Sequence, residues 1–137
     1  MFLNKVEITN FRVYYGKNIL DFGRSNKNRN VYIIGGLTGY GKTSLLTAIT
    51  LGLLGKNATH LAFDEKAASN FNIDSQYREL LQKNFSKTAL AKGEQQMSVK
   101  LIFDDQGTEL HVERKWWLDD QGVLQDEELN VFQNGAP

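Results

Sequence analysis

The sequence predicts one α/β domain: a largely antiparallel sheet standing beside one apolar strand, a glycine loop and a helix. Three observations predict it. Residues that alternate apolar and polar recur near both ends of the chain, the signature of half-buried strands. Between them, Val31-Tyr32-Ile33-Ile34 is apolar without alternation, as in a strand covered on both faces. Glycines follow that run, and from Lys42 the apolar period changes to that of a helix. The 137 residues leave room for a single domain.

The elements follow in order. Phe2 to Phe11 sets Val6 and Ile8 on one side and Lys5, Glu7 and Thr9 on the other. Phe11 to Tyr15 continues this strand or bends it. Gly16-Lys17 predicts a turn, and Asn18 to Phe22 a short second strand, antiparallel to the first. Gly23 to Asn30 (GRSNKNRN) is polar and reads as a loop. After the apolar run, Lys42 to Leu54 predicts a helix. Its core stripe is read as Leu46, Ile49 and Leu53, with Leu45 and Ala48 beside it, and Gly55 as the stop. Leu61 to Asn72 is helix or loop. Ser75 to Phe85 is a helix candidate burying Tyr77, Leu80, Leu81 and Phe85. Gly93 to Gln96 breaks the chain, and Met97, Val99, Leu101 and Phe103 alternate as a strand. Asp104-Asp105-Gln106-Gly107 is a hairpin turn. The return strand carries Leu110, Val112 and Arg114 and reaches Trp116 and Trp117. Asp119 to Gly122 is a second turn, and Leu129, Val131 and Phe132 mark a last strand before Asn134-Gly135.

Composition excludes whole classes of function. Sixteen Lys+Arg balance sixteen Asp+Glu, so a wholly basic nucleic-acid coat is not expected, although a local patch is allowed. Cysteine is absent, which removes disulfides, thiolate zinc sites and cysteine nucleophiles. No apolar run is long enough to span a membrane, and the N-terminus lacks a secretory pattern, so a cytoplasmic address is expected.

One motif carries chemistry. Gly36-Leu37-Thr38-Gly39-Tyr40-Gly41-Lys42-Thr43 fits Gly-x-x-x-x-Gly-Lys-Ser/Thr, the Walker A phosphate loop. Its glycines let successive N–H groups turn around an anion, and the helix beginning near Lys42 aims its unpaired N–H groups and dipole at the same place. Lys42 supplies a mobile positive charge for the β/γ-phosphates. The Thr43 hydroxyl suits Mg²⁺, and Ser44 adds a hydroxyl near the α-phosphate. With ordinary residue frequencies a chance match in such a chain is on the order of one in a few hundred. The expected ligand set is ATP with Mg²⁺. A complete ATPase also needs an acid at the end of a buried strand (Walker B). Leu101-Ile102-Phe103-Asp104-Asp105 is a candidate, but Lys100 interrupts its approach and the acids read as a hairpin tip.

These residues resemble a known family. Ile8-Thr9-Asn10-Phe11-Arg12-Val13-Tyr14, Leu20-Asp21-Phe22, and Ile33-Ile34-Gly35-Gly36 with the phosphate loop are similar to the start of SMC-like P-loop NTPases with an ABC-type head. The helix through Leu53-Leu54-Gly55-Lys56-Asn57-Ala58 resembles the DndD family, SMC-like ATPases of bacterial DNA phosphorothioate (sulfur) modification. Val99 to Phe103, Val112 to Trp116 and Glu128 to Phe132 with Asn134-Gly135 extend that likeness. The resemblance implies that residues 1–137 are the N-terminal lobe of a split ATPase head. It implies a coiled coil and a C-terminal lobe elsewhere, the latter with the signature motif, Walker B acid and catalytic glutamate. It further implies a second head in an ATP-dependent dimer, and DNA and other phosphorothioation proteins as partners, with no membrane. By the same resemblance Arg12 approaches the bound phosphates, the nucleotide set being Arg12, Gly36, Thr38, Gly39, Tyr40, Gly41, Lys42, Thr43 and Ser44. Many relatives carry Asn where this chain has Thr38. This lobe by itself is expected to bind ATP with little turnover, having no catalytic residue of its own.

Other functional readings exist. A DNA-repair or other defence ATPase of the same SMC-like group is the alternative: the Walker A part is shared by many families, and the later strands are what favour the DndD likeness. A self-contained P-loop kinase or GTPase would use Asp104, but 35 residues precede Gly36 and no Asn-Lys-x-Asp guanine motif follows. A β-rich interaction module would make the glycine loop a plain turn. Trp116 and Trp117 could stack on bases, yet adjacent strand residues face opposite ways, so one packs and one lies at an edge. His60 and His111 lack metal spacing. Lys83, Lys87, Lys92, Arg24, Lys27 and Arg29 read as solvated charge, and the acids from Asp119 to Glu128 as loop surface.

Overall fold

The structure, a computed structural model, describes residues 1–23, 35, 41–59 and 73–133. Its elements are β1 (Phe2–Phe11), β2 (Tyr14–Asp21), α1 (Lys42–Leu54) with a 3₁₀ turn (Gly55–Ala58), α2 (Ile73–Asn84), α3 (Lys87–Ala91), β3 (Gln96–Asp105), β4 (Thr108–Leu118) and β5 (Leu124–Gln133). The apolar run Val31 to Ile34, most of the GRSNKNRN segment, the stretch Leu61 to Asn72, His60 and Asn134-Gly135 lie outside the described residues.

The strands form one five-stranded sheet in the order β2-β1-β3-β4-β5, with every neighbouring pair antiparallel. Alternation sorts the two faces as the sequence predicts. Val6, Ile8, Met97, Val99, Leu101, Trp116 and Leu118 are buried on the inner face, against which α1 and α2 pack. Of the two tryptophans Trp116 is inside, while Trp117 is only partly covered. Among the described residues no helix is long and apolar enough to cross a membrane.

Three local expectations are corrected. The first turn is Arg12-Val13, enclosed by the Phe11–Tyr14 pair, not Gly16-Lys17. Gly16, at φ 69°, takes up the extra residue of a β2 bulge, where the register shifts between Thr9 and Phe11. The α1 core stripe is Leu45, Ala48, Leu51 and Gly52; Leu46 is 67% and Leu53 45% exposed. Small residues decide this rotation, because Ala48 and Gly52 let the helix lie close on β3. Third, Asp126, Glu127 and Glu128 are not in a loop but belong to β5. The short helix α3 was not signalled at all.

The four side chains that the helix pattern named are all buried: Tyr77, Leu80 and Leu81 within α2, and Phe85 just past its end. The helix is tied to the sheet by a polar cluster under Trp116. Trp116 Nε1 donates to Tyr77 Oη at 2.8 Å and to Glu127 Oε1 at 2.7 Å, and the Tyr77 hydroxyl donates to the same carboxylate. Arg114, buried in the middle of β4, donates from Nε to the Gly52 carbonyl at 3.2 Å and places Nη1 3.6 Å from Glu127 Oε1.

Two predictions follow from this packing. A Cβ at Gly52 would stand 2.8 Å from Cγ1 and 3.2 Å from Cβ of Val99, a β-branched side chain with little rotamer freedom. Gly52→Ala gains about 1 kcal/mol of helix propensity, but overpacking costs up to about 3. Urea denaturation should therefore show a net loss of about 1–2 kcal/mol, where an open helix position would gain. The second concerns pH. Burial, and then the hydrogen bond to Glu127, push the Tyr77 phenol well above its ordinary value of 10.0. Above about pH 10 the unfolded chain releases this proton and the folded one keeps it, so stability falls as pH rises, by at most about 1.4 kcal/mol per pH unit. Tyr77→Phe should flatten the decline between pH 9.5 and 11; an unchanged slope would refute the assignment.

Candidate functional site

The N-terminus of α1 is built around one glycine. Gly41 caps the helix at φ 103°, a conformation that an L side chain seldom adopts. A Cβ there would meet Tyr14 Oη at 2.8 Å and Val13 Cγ2 at 3.3 Å. The Gly41 carbonyl accepts the Leu45 N–H at 2.9 Å and the Tyr14 hydroxyl at 3.1 Å. Tyr14 thus clamps the helix start to β2, and burial raises its phenol pKa. No side chain caps α1 and its first turn carries no acid, so its leading N–H groups and positive dipole end are not offset from within the helix. Lys42 and Thr43 are exposed on that turn, while Ser44 is buried.

The β1–β2 turn brings Arg12 to the same place. Asn10 and Arg12 both hold positive φ, at 56° and 49°, strained for non-glycine residues. The junction between α2 and α3 holds them there. Arg12 N donates to the Asn84 carbonyl at 2.7 Å and Ser86 N to the Asn10 carbonyl at 2.9 Å, with Phe11 and Phe85 bridged between. Arg12 Nε donates to Asn84 Oδ1. Asn10 is fixed in turn, its amide donating to the Gln96 carbonyl at 2.9 Å and its Oδ1 accepting from Gly16 N at 2.9 Å.

Where these elements meet, Arg12, Val13, Ser44, Lys83, Phe85, Lys87 and Thr88 line a cleft of about 430 Å³. It carries three cationic side chains and no acid, which suits an anion with an apolar portion. Of the residues named from sequence, Arg12 and Ser44 share the cleft, and Gly41, Lys42 and Thr43 stand at the helix start beside Ser44. Gly36, Thr38, Gly39 and Tyr40 lie outside the described residues. Lys83 and Lys87 are exposed, as the solvated-charge reading expects, and they also line the cleft. Sequence reasoning missed Tyr14 and Asn84. Tyr14 was legible only as a strand aromatic, and nothing marks Asn84 within its helix.

Asp104 is elsewhere. It pairs with Phe2, at the opposite end of β1 from Phe11, about 30 Å along the strand. Its Oδ1 accepts from Gly107 N at 3.0 Å, the task of a turn residue. His111 stacks on Phe132 with ring centroids 4.9 Å apart, and its Nε2 lies 2.5 Å from Glu109. Among the described residues no three His, Asp or Glu side chains gather as a metal site.

Comparison with known proteins adds a family. The AAA domain family matches residues 5–134. The chain is also 28% identical over 131 residues to a probable DNA double-strand break repair Rad50 ATPase of Aquifex aeolicus (strain VF5), covering 96% of this chain and 10% of that protein. The chain thus spans about a tenth of the length of that relative. It belongs to the AAA domain family, and both findings agree with an ATPase of the SMC-like group.

The geometry at Gly41 yields a prediction. Gly41→Ala faces both the strained φ and the Tyr14 hydroxyl, and should cost about 2 kcal/mol or more in thermal or urea denaturation. Tyr14→Phe by itself removes one hydrogen bond, about 1 kcal/mol, and should restore part of the loss when combined with Gly41→Ala. A neutral Gly41→Ala would refute the clamp.

Proposed function

We propose that this member of the AAA domain family binds the phosphates of Mg·ATP at the start of α1. On this reading residues 1–137 form the N-terminal lobe of a split, ABC-type head of an SMC-like ATPase. The observation that carries it is the convergence of the Arg12 cleft and the uncapped α1 terminus at Gly41-Lys42-Thr43, the described end of a Gly-x-x-x-x-Gly-Lys-Thr sequence. In this role Gly36, Thr38, Gly39, Tyr40 and Gly41 offer backbone N–H groups, Lys42 contacts the β/γ-phosphates, Thr43 holds Mg²⁺ through its hydroxyl and Ser44 lies near the α-phosphate. Arg12 adds a guanidinium from the side.

The second face of α1 supports a missing lobe. Leu46, Leu53 and Leu54 are 67%, 45% and 42% exposed, although a helix apolar on both sides belongs between two layers. A C-terminal lobe covering that face, and a second head completing the site, give the lobe its ATPase activity. The process served is DNA-related. The narrower assignment is DNA phosphorothioate modification and its associated defence in the cytoplasm, as for DndD-type ATPases, acting with DNA and the other phosphorothioation proteins. A repair role is the second reading, favoured by the double-strand break repair function for which the Aquifex relative is named. A self-contained enzyme using Asp104 has against it the distance along β1 set out above.

Calorimetry tests the site. Mg·ATP should bind the chain, and Lys42→Ala should weaken it at least tenfold, about 1.4 kcal/mol, with phosphate release near background throughout. Binding indifferent to Lys42→Ala would reject the phosphate site. Lys42-dependent binding with sustained turnover would instead place a catalytic acid within this chain.

A further inference from the structure

The geometry points to Asn84 as the positioning residue that aims Arg12 into the cleft beside Ser44. This deepens the nucleotide reading and rests on it.

Three consecutive residues, Asn84-Phe85-Ser86, clasp three consecutive residues of the turn, Asn10-Phe11-Arg12. Two backbone hydrogen bonds and the Phe11–Phe85 bridge make the clasp, and these suffice to hold the turn. The side-chain bond from Arg12 Nε to Asn84 Oδ1 is additional. Asn84 is itself immobile. It is fully buried, and its Nδ2 donates to the Leu80 carbonyl at 2.8 Å. That second bond decides which way the amide faces, leaving the oxygen toward Arg12 and excluding the flipped amide, which would set two carbonyl oxygens against each other. As the last residue of α2, Asn84 also presents a helix-terminal carbonyl to Arg12 N, so the negative end of the helix dipole faces the base of the arginine.

The consequence lies in the guanidinium. Its planar fork carries five N–H donors in fixed directions. Holding Nε fixes the plane and leaves the four N–H bonds of Nη1 and Nη2, for which no partner occurs among the described residues. Arg12 lines the cleft together with Ser44, so those donors are offered where an anion at the start of α1 would stand. Prior orientation spares the ligand the cost of ordering a long flexible side chain. Arg12→Lys could not substitute, because an ammonium cannot be anchored at one nitrogen and donate from two others.

A double-mutant cycle tests this with the full chain and Mg·ATP in calorimetry. Asn84→Leu keeps the branching of the side chain and the backbone clasp but removes the acceptor. It should weaken binding about tenfold, as should Arg12→Ala, and the double variant should be no weaker than Arg12→Ala alone. A purely structural Asn84 would give losses that add, and that result, or unchanged binding in either single variant, overturns the inference. Lys42→Ala is measured alongside. If it abolishes binding while Arg12→Ala and Asn84→Leu are silent, this inference falls and the phosphate site stands; if Lys42→Ala is also silent, both fall. Should Asn84→Leu not fold, the unmutated chain still decides. Its Arg12 Nε–H should exchange with solvent more than tenfold slower in NMR than that of an exposed arginine, and stay so when Mg·ATP is added; exchange at the exposed rate overturns the assignment.

Discussion

A buried guanidinium in the middle of the sheet sets the position of nearly everything else. Arg114 sits on β4 with both neighbours hydrogen-bonded, and a charge at that depth is tolerated only with partners. One is Glu127 on β5; the other is the Gly52 carbonyl at the C-terminal end of α1, where the helix dipole is negative. Gly55, at φ 55°, leaves room for the guanidinium carbon, which a Cβ would approach to 2.7 Å. Glu127 also receives Trp116 and Tyr77. One cation and one carboxylate thereby join α1, α2, β4 and β5, and removing Glu127 would leave a buried guanidinium without its counter-charge.

That constraint acts on the site through the helix. α1 has 13 residues, a rod of about 20 Å. Arg114 fixes one end, Gly52 against Val99 presses its middle onto β3, and Tyr14 holds Gly41 at the other end. The first turn, with Lys42, Thr43 and Ser44, is therefore placed by contacts made far from it. The Arg12 side of the cleft is placed independently, by Asn84 and Ser86. On the site's side of the sheet the positive φ values fall on Asn10 and Arg12; the third non-glycine example among the described residues, Gln106, belongs to the β3–β4 hairpin turn. Rigid supports on two sides are what allow two such residues to persist.

Much of this was legible in the sequence because a period of two survives burial on one face. The strands, the Asp104 hairpin and the buried set of α2 were read from alternation and spacing. The α1 stripe was not, since leucines occur all round that helix. Hydrophobicity cannot choose between two apolar faces; the close approach at Gly52 does. The first turn was misplaced for a related reason. Gly16 looks like turn chemistry, yet it serves a bulge, while the turn itself falls on Arg12, a residue type with no preference for positive φ. Its conformation is imposed by Asn84 and Ser86, more than 70 residues along the chain. In the site, the motif from Gly41 to Ser44 could be read directly, but Tyr14, Asn84, Lys83 and Lys87 become neighbours of it only through tertiary structure.

Charge makes the same point from the other direction. Sixteen cationic and sixteen acidic side chains cancel, and a composition so balanced argues against an anion-binding surface. The fold undoes the cancellation locally. It draws Arg12 from a turn, Lys83 from the end of α2 and Lys87 from the start of α3 into one cleft. Asp104 and Asp105 go to the opposite end of β3, and Asp126, Glu127 and Glu128 to the edge strand, three strands or about 14 Å across from β1. At physiological salt the screening length is about 8 Å, so acids at such distances weaken the field in the cleft far less than three cations around it create it. Net charge describes the long-range behaviour of the chain; what an anion meets at the start of α1 depends on which residues fall within one screening length of it.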